Sequence, residues 1–428
     1  MLEIVPLTRL NAALTVPGSK YVANRALAIA ALADGDSVLR NLPDNNDIRN
    51  AITALSHLGI RFRPEKNALH ISGTGGRLRA TPSAIDVGES GTLLRFITAM
   101  AALAPGRTTV TGSARIQERP IRDLLDALRA LGIKTVAREN GCPPVAIEGG
   151  TLRGGSCPVK GDISSQYISG LLLIAPFAPE GMEIRLTTGL VSKSYVDLTI
   201  GLMAQWGVGV TREGYRTFSV AAGQSYRARD YTVPGDWSSA NYFFAAAAIL
   251  NGRVTVKDLD LHSLHGESKF INVLEGMGCR IESDAPTGSV TVSGPAALRA
   301  VDADMSSMPD AVQTLAAVAA FADGQTRLRN IGNLRFKECD RIDMTADELR
   351  KTGVEVHTGP DEMLIQGGGT LVPAIIDPYN DHRMAMSFAL IGLRQPGIRI
   401  ANPSAVDKSF PGFWDSLTSI GVELLYGR

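Results

Sequence analysis

Apolar residues recur along this chain in two alternating styles. Stretches such as Ala26–Leu32 and Ala311–Phe321 are rich in Ala and Leu, both strong helix formers. Elsewhere, as in Ile121, Leu124, Leu125, Leu128 and Leu131, apolar residues fall three or four apart, the spacing of an amphipathic helix. Between the two styles lie short β-branched runs, Thr108-Thr109-Val110 and Val254-Thr255-Val256, that predict strands.

Two phased glycine series punctuate this alternation. Gly35, Gly106, Gly181, Gly252, Gly324 and Gly397 follow the Ala/Leu-rich stretches and precede a strand, about 71–75 residues apart. Gly59, Gly132, Gly207, Gly278, Gly353 and Gly421 separate the amphipathic stretch from a second strand, as in Leu58-Gly59-Ile60. A glycine there can take the left-handed conformation that ends a helix. Two copies agree even in letters: Ala33-Asp34-Gly35 leads to Leu39-Arg40-Asn41, and Ala322-Asp323-Gly324 leads to Leu328-Arg329-Asn330. The chain therefore reads as six units, each helix–strand–helix–strand or a close variant. At about 70 residues a unit is longer than the ~20–50 of a solenoid repeat, so two domains of three units are expected. Pro234-Gly235-Asp236 is the expected hinge.

Composition narrows the class. The 428 residues are 44% apolar and 20% charged, which suits packed interiors and argues against disorder. Lys+Arg and Asp+Glu both number 43, so there is no basic excess of the kind that marks a nucleic-acid binder. Cys142, Cys157, Cys279 and Cys339 are scattered without CxxC spacing, which predicts reduced thiols in a cytoplasmic chain rather than disulfides or zinc. The opening Met1-Leu2-Glu3-Ile4-Val5-Pro6 lacks a signal-peptide pattern, and no apolar run reaches the roughly 18 residues of a membrane span.

Polar residues gather where the helices begin. The first helix of each unit opens near Lys20–Arg25, Ser90–Arg95, Ser164-Ser165-Gln166, Ser238–Asn241, Pro309-Asp310 and Asn380–Arg383. The second opens near Asp44–Asp47, Gln117–Pro120, Ser192–Tyr195, His265–Lys269, Lys337–Arg341 and Asp407–Pro411. Capping accounts for Ser164, Ser238 and Asp310, and Pro120 suits a first turn. The cations Lys20, Arg95, Arg119, Lys193, Lys337, Arg341, Arg383 and Lys408 are different, because the positive end of the helix dipole disfavours them. Their recurrence predicts an external anion held by helix N-termini together with Lys and Arg. Rival motifs are weak. His262 and His265 lack a third metal ligand and read as a surface loop; Ser72-Gly73-Thr74-Gly75-Gly76 reads as a turn; no Walker, dinucleotide or GxSxG pattern occurs.

Taken in order, these residues resemble a known family. Pro17-Gly18-Ser19-Lys20 with Asn24-Arg25-Ala26-Leu27, Gly91-Thr92 with Arg95, Glu118-Arg119-Pro120-Ile121, Ser164-Ser165-Gln166 and Val191-Ser192-Lys193-Ser194-Tyr195 resemble the 5-enolpyruvylshikimate-3-phosphate synthases, members of the enolpyruvyl transferases. So do Pro309-Asp310, Asn333, Lys337-Glu338, Asp340-Arg341, Asn380–Met386 and Lys408 with Phe410-Pro411. The resemblance spans nearly the whole chain. It implies an α/β (α+β) fold, a two-domain inverse α/β barrel in which each domain is three βαβαββ-type repeats. It also implies a double crossover, with residues 1–15 plus 236–428 forming one domain (phosphoenolpyruvate side) and 16–235 the other (shikimate-3-phosphate side), and helix N-termini converging on a cleft that closes once anions fill it.

The implied activity is transfer of the enolpyruvyl group of phosphoenolpyruvate to the 5-hydroxyl of shikimate-3-phosphate with release of phosphate, in chorismate and aromatic amino-acid biosynthesis. No cofactor, metal, nucleic acid or membrane is implied, and a monomer is expected. The resemblance assigns phosphoenolpyruvate to Lys20, Gly91, Arg119, Gln166, Arg341, Arg383 and Lys408. Shikimate-3-phosphate falls to Lys20, Tyr21, Arg25, Ser164, Ser165, Gln166, Ser192, Tyr195, Asp310, Asn333 and Lys337. Lys20, Asp310, Glu338 and His382 are the implied catalytic set. A small residue at Gly91 leaves room for a phosphonate analogue, so glyphosate inhibition competitive with phosphoenolpyruvate is expected.

Two positions depart from the family pattern. Tyr21 stands where Ser is usual beside the acceptor's carboxylate, and Cys339 stands where Thr is common. The departure at Tyr21 keeps open a transferase acting on a related cyclic polyol in specialised metabolism. An inactive anion-binding paralogue is the non-enzymatic alternative, although a scaffold needs no acid–base pair. The UDP-N-acetylglucosamine enolpyruvyl transferases commonly carry a Cys in the loop before their Arg-Pro, and Gly112–Arg119 has none.

Overall fold

The computed structural model describes residues 1–427. Its twelve α-helices, among the described residues, come in pairs, one pair per repeat: α1 (Lys20–Leu32) and α2 (Asn46–His57); α3 (Gly91–Ala101) and α4 (Arg122–Ala130); α5 (Ser165–Ile174) and α6 (Lys193–Gln205); α7 (Trp237–Ile249) and α8 (Phe270–Gly276); α9 (Val312–Ala319) and α10 (Arg341–Lys351); α11 (His382–Gly392) and α12 (Phe413–Ser419). The chain divides into two compact units, Gly18–Val233 and Met1–Pro17 with Pro234–Arg428.

The two styles of apolar patterning become two kinds of helix. Every residue of α7, α9 and α11 is buried, as are all of α1 but Lys20 and all of α3 but Thr92. A helix apolar on all sides has to lie inside a core, and the Ala-rich sequences keep these helices thin enough to pack together. The second helices keep one wet face; α4 buries only Leu124, Leu125, Ala127 and Leu128.

Each unit carries three sheets; α1, α3, α7, α9 and α11 pack on the sheets of their own repeats, and α5 packs chiefly on α3 and α6. The strand after the inner helix lies in the middle. In the first repeat Asp36–Arg40 pairs parallel with Asp230–Thr232 on one side and antiparallel with the hairpin strand Ala68–Ser72 on the other. Gly106–Thr111 and Met182–Leu186 repeat this arrangement with their own neighbours. In the other unit Arg253–Lys257, Ala322–Arg329 and Ile398–Ile400 hold the same place. Among the described residues the strands form six sheets.

Two swaps close the repeats. The last repeat supplies only Leu424–Tyr426 of its hairpin, and the N-terminal strand Leu2–Ile4 serves as the missing partner. The strand Asn11–Thr15 pairs parallel with Arg253–Lys257, while Asp230–Thr232 returns to the first sheet. The hinge expected at Pro234-Gly235-Asp236 falls where the chain passes between units, and Asp236 also caps α7 by accepting the N–H of Ser239 at 2.9 Å.

The second glycine series is left-handed throughout, with φ from 87° to 107°. In the first series Gly252 is the exception; its neighbour Asn251 takes the left-handed turn instead, at φ 48°. A third series escaped the sequence reading. Gly73, Gly149, Gly294 and Gly367 lie at the ends of hairpin strands, where a Cβ would collide with the last carbonyls of α1, α3, α7 and α9.

Candidate functional site

In the Gly18–Val233 unit the sequence-predicted residues gather at the starts of α1, α3, α5 and α6. Ser19 precedes α1 without a side-chain capping bond; its hydroxyl is buried and unpartnered. Lys20 opens the helix, its Nζ 3.3 Å from Oδ2 of Asp47 at the start of α2. Tyr21 is buried, with its ring 5.2 Å from that of Tyr195 and 5.3 Å from the Lys20 ammonium.

Arg25 lies beneath them, 1% exposed. Its Nε donates to Thr199 Oγ1 at 2.7 Å, its Nη1 to the Tyr21 carbonyl at 2.9 Å and its Nη2 to the Tyr195 carbonyl at 3.1 Å. Burial among these neutral oxygens pulls the guanidinium down to about 10, only partly offset by Tyr195 and Tyr21.

Gly91 begins α3, and a Cβ there would strike the Arg119 guanidinium, so the glycine makes the space that Arg119 fills. The loop carrying Arg119 is bolted from behind: the Pro120 carbonyl accepts from Arg95 Nη2 and from the Tyr167 hydroxyl, both at 2.7 Å. Ser164 caps α5 through the N–H of Gln166 at 3.3 Å, and Ser165 is buried beside it. Gln166 Nε2 donates to Thr92 Oγ1 at 3.1 Å, which orients the amide; its Oε1 is buried without a partner. Ser192 opens α6 in the left-handed conformation, φ 51°.

The other unit gathers its predicted residues into one ion-pair lattice. Arg341 is 1% exposed. Its Nε and Nη2 grip both oxygens of Asp381 at 2.6 and 3.1 Å, its Nη1 reaches Asp310 at 2.9 Å, and its Nη2 reaches Glu338 at 2.9 Å. Burial alone would lower its pKa, but Asp381, Glu338 and Asp310 outweigh that and push it well up. Asp310 also meets Arg383 at 3.2 Å and Lys337 at 3.9 Å, while Lys408 bonds Glu338 at 2.6 Å. Arg383 donates to the Tyr242 hydroxyl at 3.0 Å, and Tyr242 stands on the aromatic cluster of Phe243, Phe410 and Phe413. His382 is buried with Nδ1 3.5 Å from Asp381. Asn333 lies half-buried in the short turn Gly332–Phe336 that precedes Lys337.

Several sequence expectations need correction. Cations at helix starts also have partners within the chain: Arg95 serves backbone carbonyls, Lys193 lies 5.2 Å over the Tyr215 ring, and the Arg341 group is paired with carboxylates. Capping was misplaced too. Asp236 rather than Ser238 caps α7, and Asp310 sits inside a 3-10 turn with its carboxylate turned to cations. His265 is 2% exposed rather than on a surface loop; His262 is exposed, and no metal-ligand cluster occurs among the described residues. All four cysteines are free, and burial raises the Cys339 thiol, whose Sγ lies 3.7 Å from Asp381. The sequence reading also missed Asp47, Thr92, Thr199, Tyr242 and Asp381 as partners. Asp47, Thr92 and Asp381 stand in the helix starts and motifs already quoted, whereas Thr199 and Tyr242 carried no signal.

Fold and residues together define the class, a six-repeat α/β transferase. Residues 4–417 match the family profile of EPSP synthase (3-phosphoshikimate 1-carboxyvinyltransferase). A 3-phosphoshikimate 1-carboxyvinyltransferase of Shewanella loihica is 41% identical over 424 residues, covering 98% of this chain and 99% of the relative. One from Shewanella oneidensis is 42% identical over 426 residues with the same coverage. A solved EPSP synthase of Acinetobacter baumannii superposes with a TM-score of 0.83 at 27% identity over 99% of both chains. The chain belongs to the EPSP synthase (3-phosphoshikimate 1-carboxyvinyltransferase) family. No described helix is long and apolar enough to cross a membrane.

Proposed function

We propose that this enzyme joins phosphoenolpyruvate to shikimate-3-phosphate. The observation that carries the reading is the pair of nearly buried carboxylates, Asp310 and Glu338, each held between cations of one lattice. A protein that only bound anions would have no use for them. In the reaction the acceptor's 5-hydroxyl oxygen attacks C2 of phosphoenolpyruvate and gives up its proton, while the C3 methylene gains one. The tetrahedral adduct then breaks its C2–O bond to phosphate, and C3 returns a proton as the double bond re-forms. Proton donor and acceptor are both required, and Asp310 and Glu338 are assigned to these transfers together with Lys20.

The phosphate of phosphoenolpyruvate is assigned to Lys20, Arg119, Gln166 and the N–H of Gly91. The N-terminus of α3, the buried Ser19 hydroxyl and the cations of Lys20 and Arg119 support anion ligation there. Arg341, Arg383 and Lys408 are assigned to its carboxylate. Lys20, Tyr21, Arg25, Ser164, Ser165, Gln166, Ser192, Tyr195, Asp310, Asn333 and Lys337 are assigned to shikimate-3-phosphate. His382, with Nδ1 3.5 Å from Asp381, is assigned to the catalytic set together with Lys20, Asp310 and Glu338. Cations at the departing phosphate stabilise the charge that develops on it. The protein is read as a cytoplasmic monomer.

A phosphate-release assay with both substrates tests the reading. Release that requires both supports it; release with another cyclic polyol in place of shikimate-3-phosphate moves the assignment to a different acceptor, and silence with every acceptor favours an inactive paralogue. Glyphosate should inhibit competitively with phosphoenolpyruvate, and undiminished activity at millimolar glyphosate contradicts the placement of Gly91.

A further inference from the structure

Behind Asp310 lies a pair of buried titratable groups to which the transfer reaction assigns no part. Glu267 is fully buried and His265 is 2% exposed, with His265 Nε2 2.9 Å from Glu267 Oε2. The second oxygen, Glu267 Oε1, accepts the backbone N–H of Asp310 at 3.2 Å. The Glu267 carbonyl is fixed in turn by Nδ2 of Asn241, on α7, at 3.0 Å.

A carboxylate removed from water is costly unless paired and hydrogen-bonded, and an apolar residue of similar volume often serves packing as well or better. The position of Glu267 explains its presence. Asp310 lies in the turn Pro309–Ala311 that leads into α9, where the first N–H groups have no intrahelical partner. Asp310 cannot cap this start, because its side chain is drawn toward Arg341 and Arg383. Glu267 supplies the cap from 43 residues away. The backbone of Asp310 is thereby tied on one side and its carboxylate on the other, which fixes where that carboxylate points.

We propose that Glu267, held by His265, is a positioning residue for the Asp310 carboxylate in the transfer reaction. The proposal rests on the reading that Asp310 exchanges a proton with substrate. It is tested with the full chain as Glu267→Ala and Glu267→Gln. Calorimetric titration with shikimate-3-phosphate counts competent sites, so kcat is expressed per competent site. Displacing a catalytic group by about 1 Å can cost 10²-fold, so Glu267→Ala should lose about 100-fold in kcat. The KM for phosphoenolpyruvate should stay within about threefold and that for shikimate-3-phosphate should change far less than kcat, because Asp310 is the one assigned substrate contact that is displaced. Glu267→Gln keeps an oxygen that can accept the Asp310 N–H and should return kcat to within about threefold of the unmutated enzyme. Should Glu267→Ala not fold, Glu267→Met fills the volume and likewise cannot accept the bond. A folded Ala or Met variant with near-normal kcat overturns the proposal, as does a Gln variant no better than Ala or Met. An unmutated chain that releases no phosphate instead removes the functional reading on which the proposal stands.

Discussion

Gly91 shows how much one missing carbon can decide. Its backbone N–H opens α3, and its bare Cα is what lets the Arg119 guanidinium lie against the helix start. Gly91→Ala should push Arg119 aside and raise the KM for phosphoenolpyruvate by about tenfold or more, equivalent to a lost charge-assisted bond; steady-state kinetics with each substrate varied in turn should show the acceptor KM nearly unchanged. Tyr21 poses the opposite question, an added ring. That ring is buried against Tyr195 and under the Lys20 ammonium, so it is part of the wall. Tyr21→Ser should therefore open a gap and raise the acceptor KM by about tenfold, consistent with an aromatic contact worth ~1 kcal/mol and more for lost burial; a gain in kcat/KM would mark the ring as an obstruction. Arg25 has a folded-state value of about 10, below the ordinary range of a guanidinium. The penalty for burying its charge is therefore present in full below about pH 10 and is relieved as pH climbs above it, where the folded chain loses the proton while the unfolded chain keeps it. A carboxylate placed beside the guanidinium offsets that penalty, so Arg25→Met should raise the acceptor Kd by about 100-fold or more, as measured by calorimetric titration.

Asp381 does two jobs for two helices. It caps α11 through the N–H of Arg383 at 2.9 Å, and it holds Arg341, the first residue of α10, with both oxygens. Asp381→Ala removes the cap and leaves a buried guanidinium short of a partner, which should cost about 3–5 kcal/mol of stability and most of the activity. Asp381→Asn keeps an oxygen for the cap and should lose less stability; urea unfolding of both variants separates capping from ion pairing. The loop before this cap is itself shaped by tertiary contacts. Tyr379 and Asn380 are both left-handed, at φ 50° and 55°, and the Tyr379 hydroxyl donates to Glu348 of α10 at 2.8 Å. Nothing in the local sequence announces that Glu348 is buried, so this brace was not legible beforehand.

The molecule as a whole repeats one scheme six times, with a buried helix start offered in each copy. A ligand that binds only the folded chain should stabilise it, by about 2.7 kcal/mol at 100 times its Kd. Shikimate-3-phosphate should therefore raise the melting temperature, and phosphoenolpyruvate added with it should raise it further; the absence of any shift at millimolar ligand would contradict the assigned acceptor residues. Such a measurement reads the summed effect of many weak polar contacts, which no single substitution isolates.

The sequence by itself determined the repeats, the two kinds of helix and the candidates for the site. Apolar spacing, glycine punctuation and ordered motifs are local properties, and they survive in the unfolded chain as plainly as in the folded one. Tertiary structure alone decided which acid holds which cation, that His265 is interior, and that Glu267 caps a helix 43 residues away. It also decided that strand Leu2–Ile4 finishes the sheet of the last repeat, although the family resemblance had already implied that the chain's two ends share a domain. The physical reason is that ion pairing and burial depend on distances between groups far apart in the chain, and those distances exist only after the inner helices have packed.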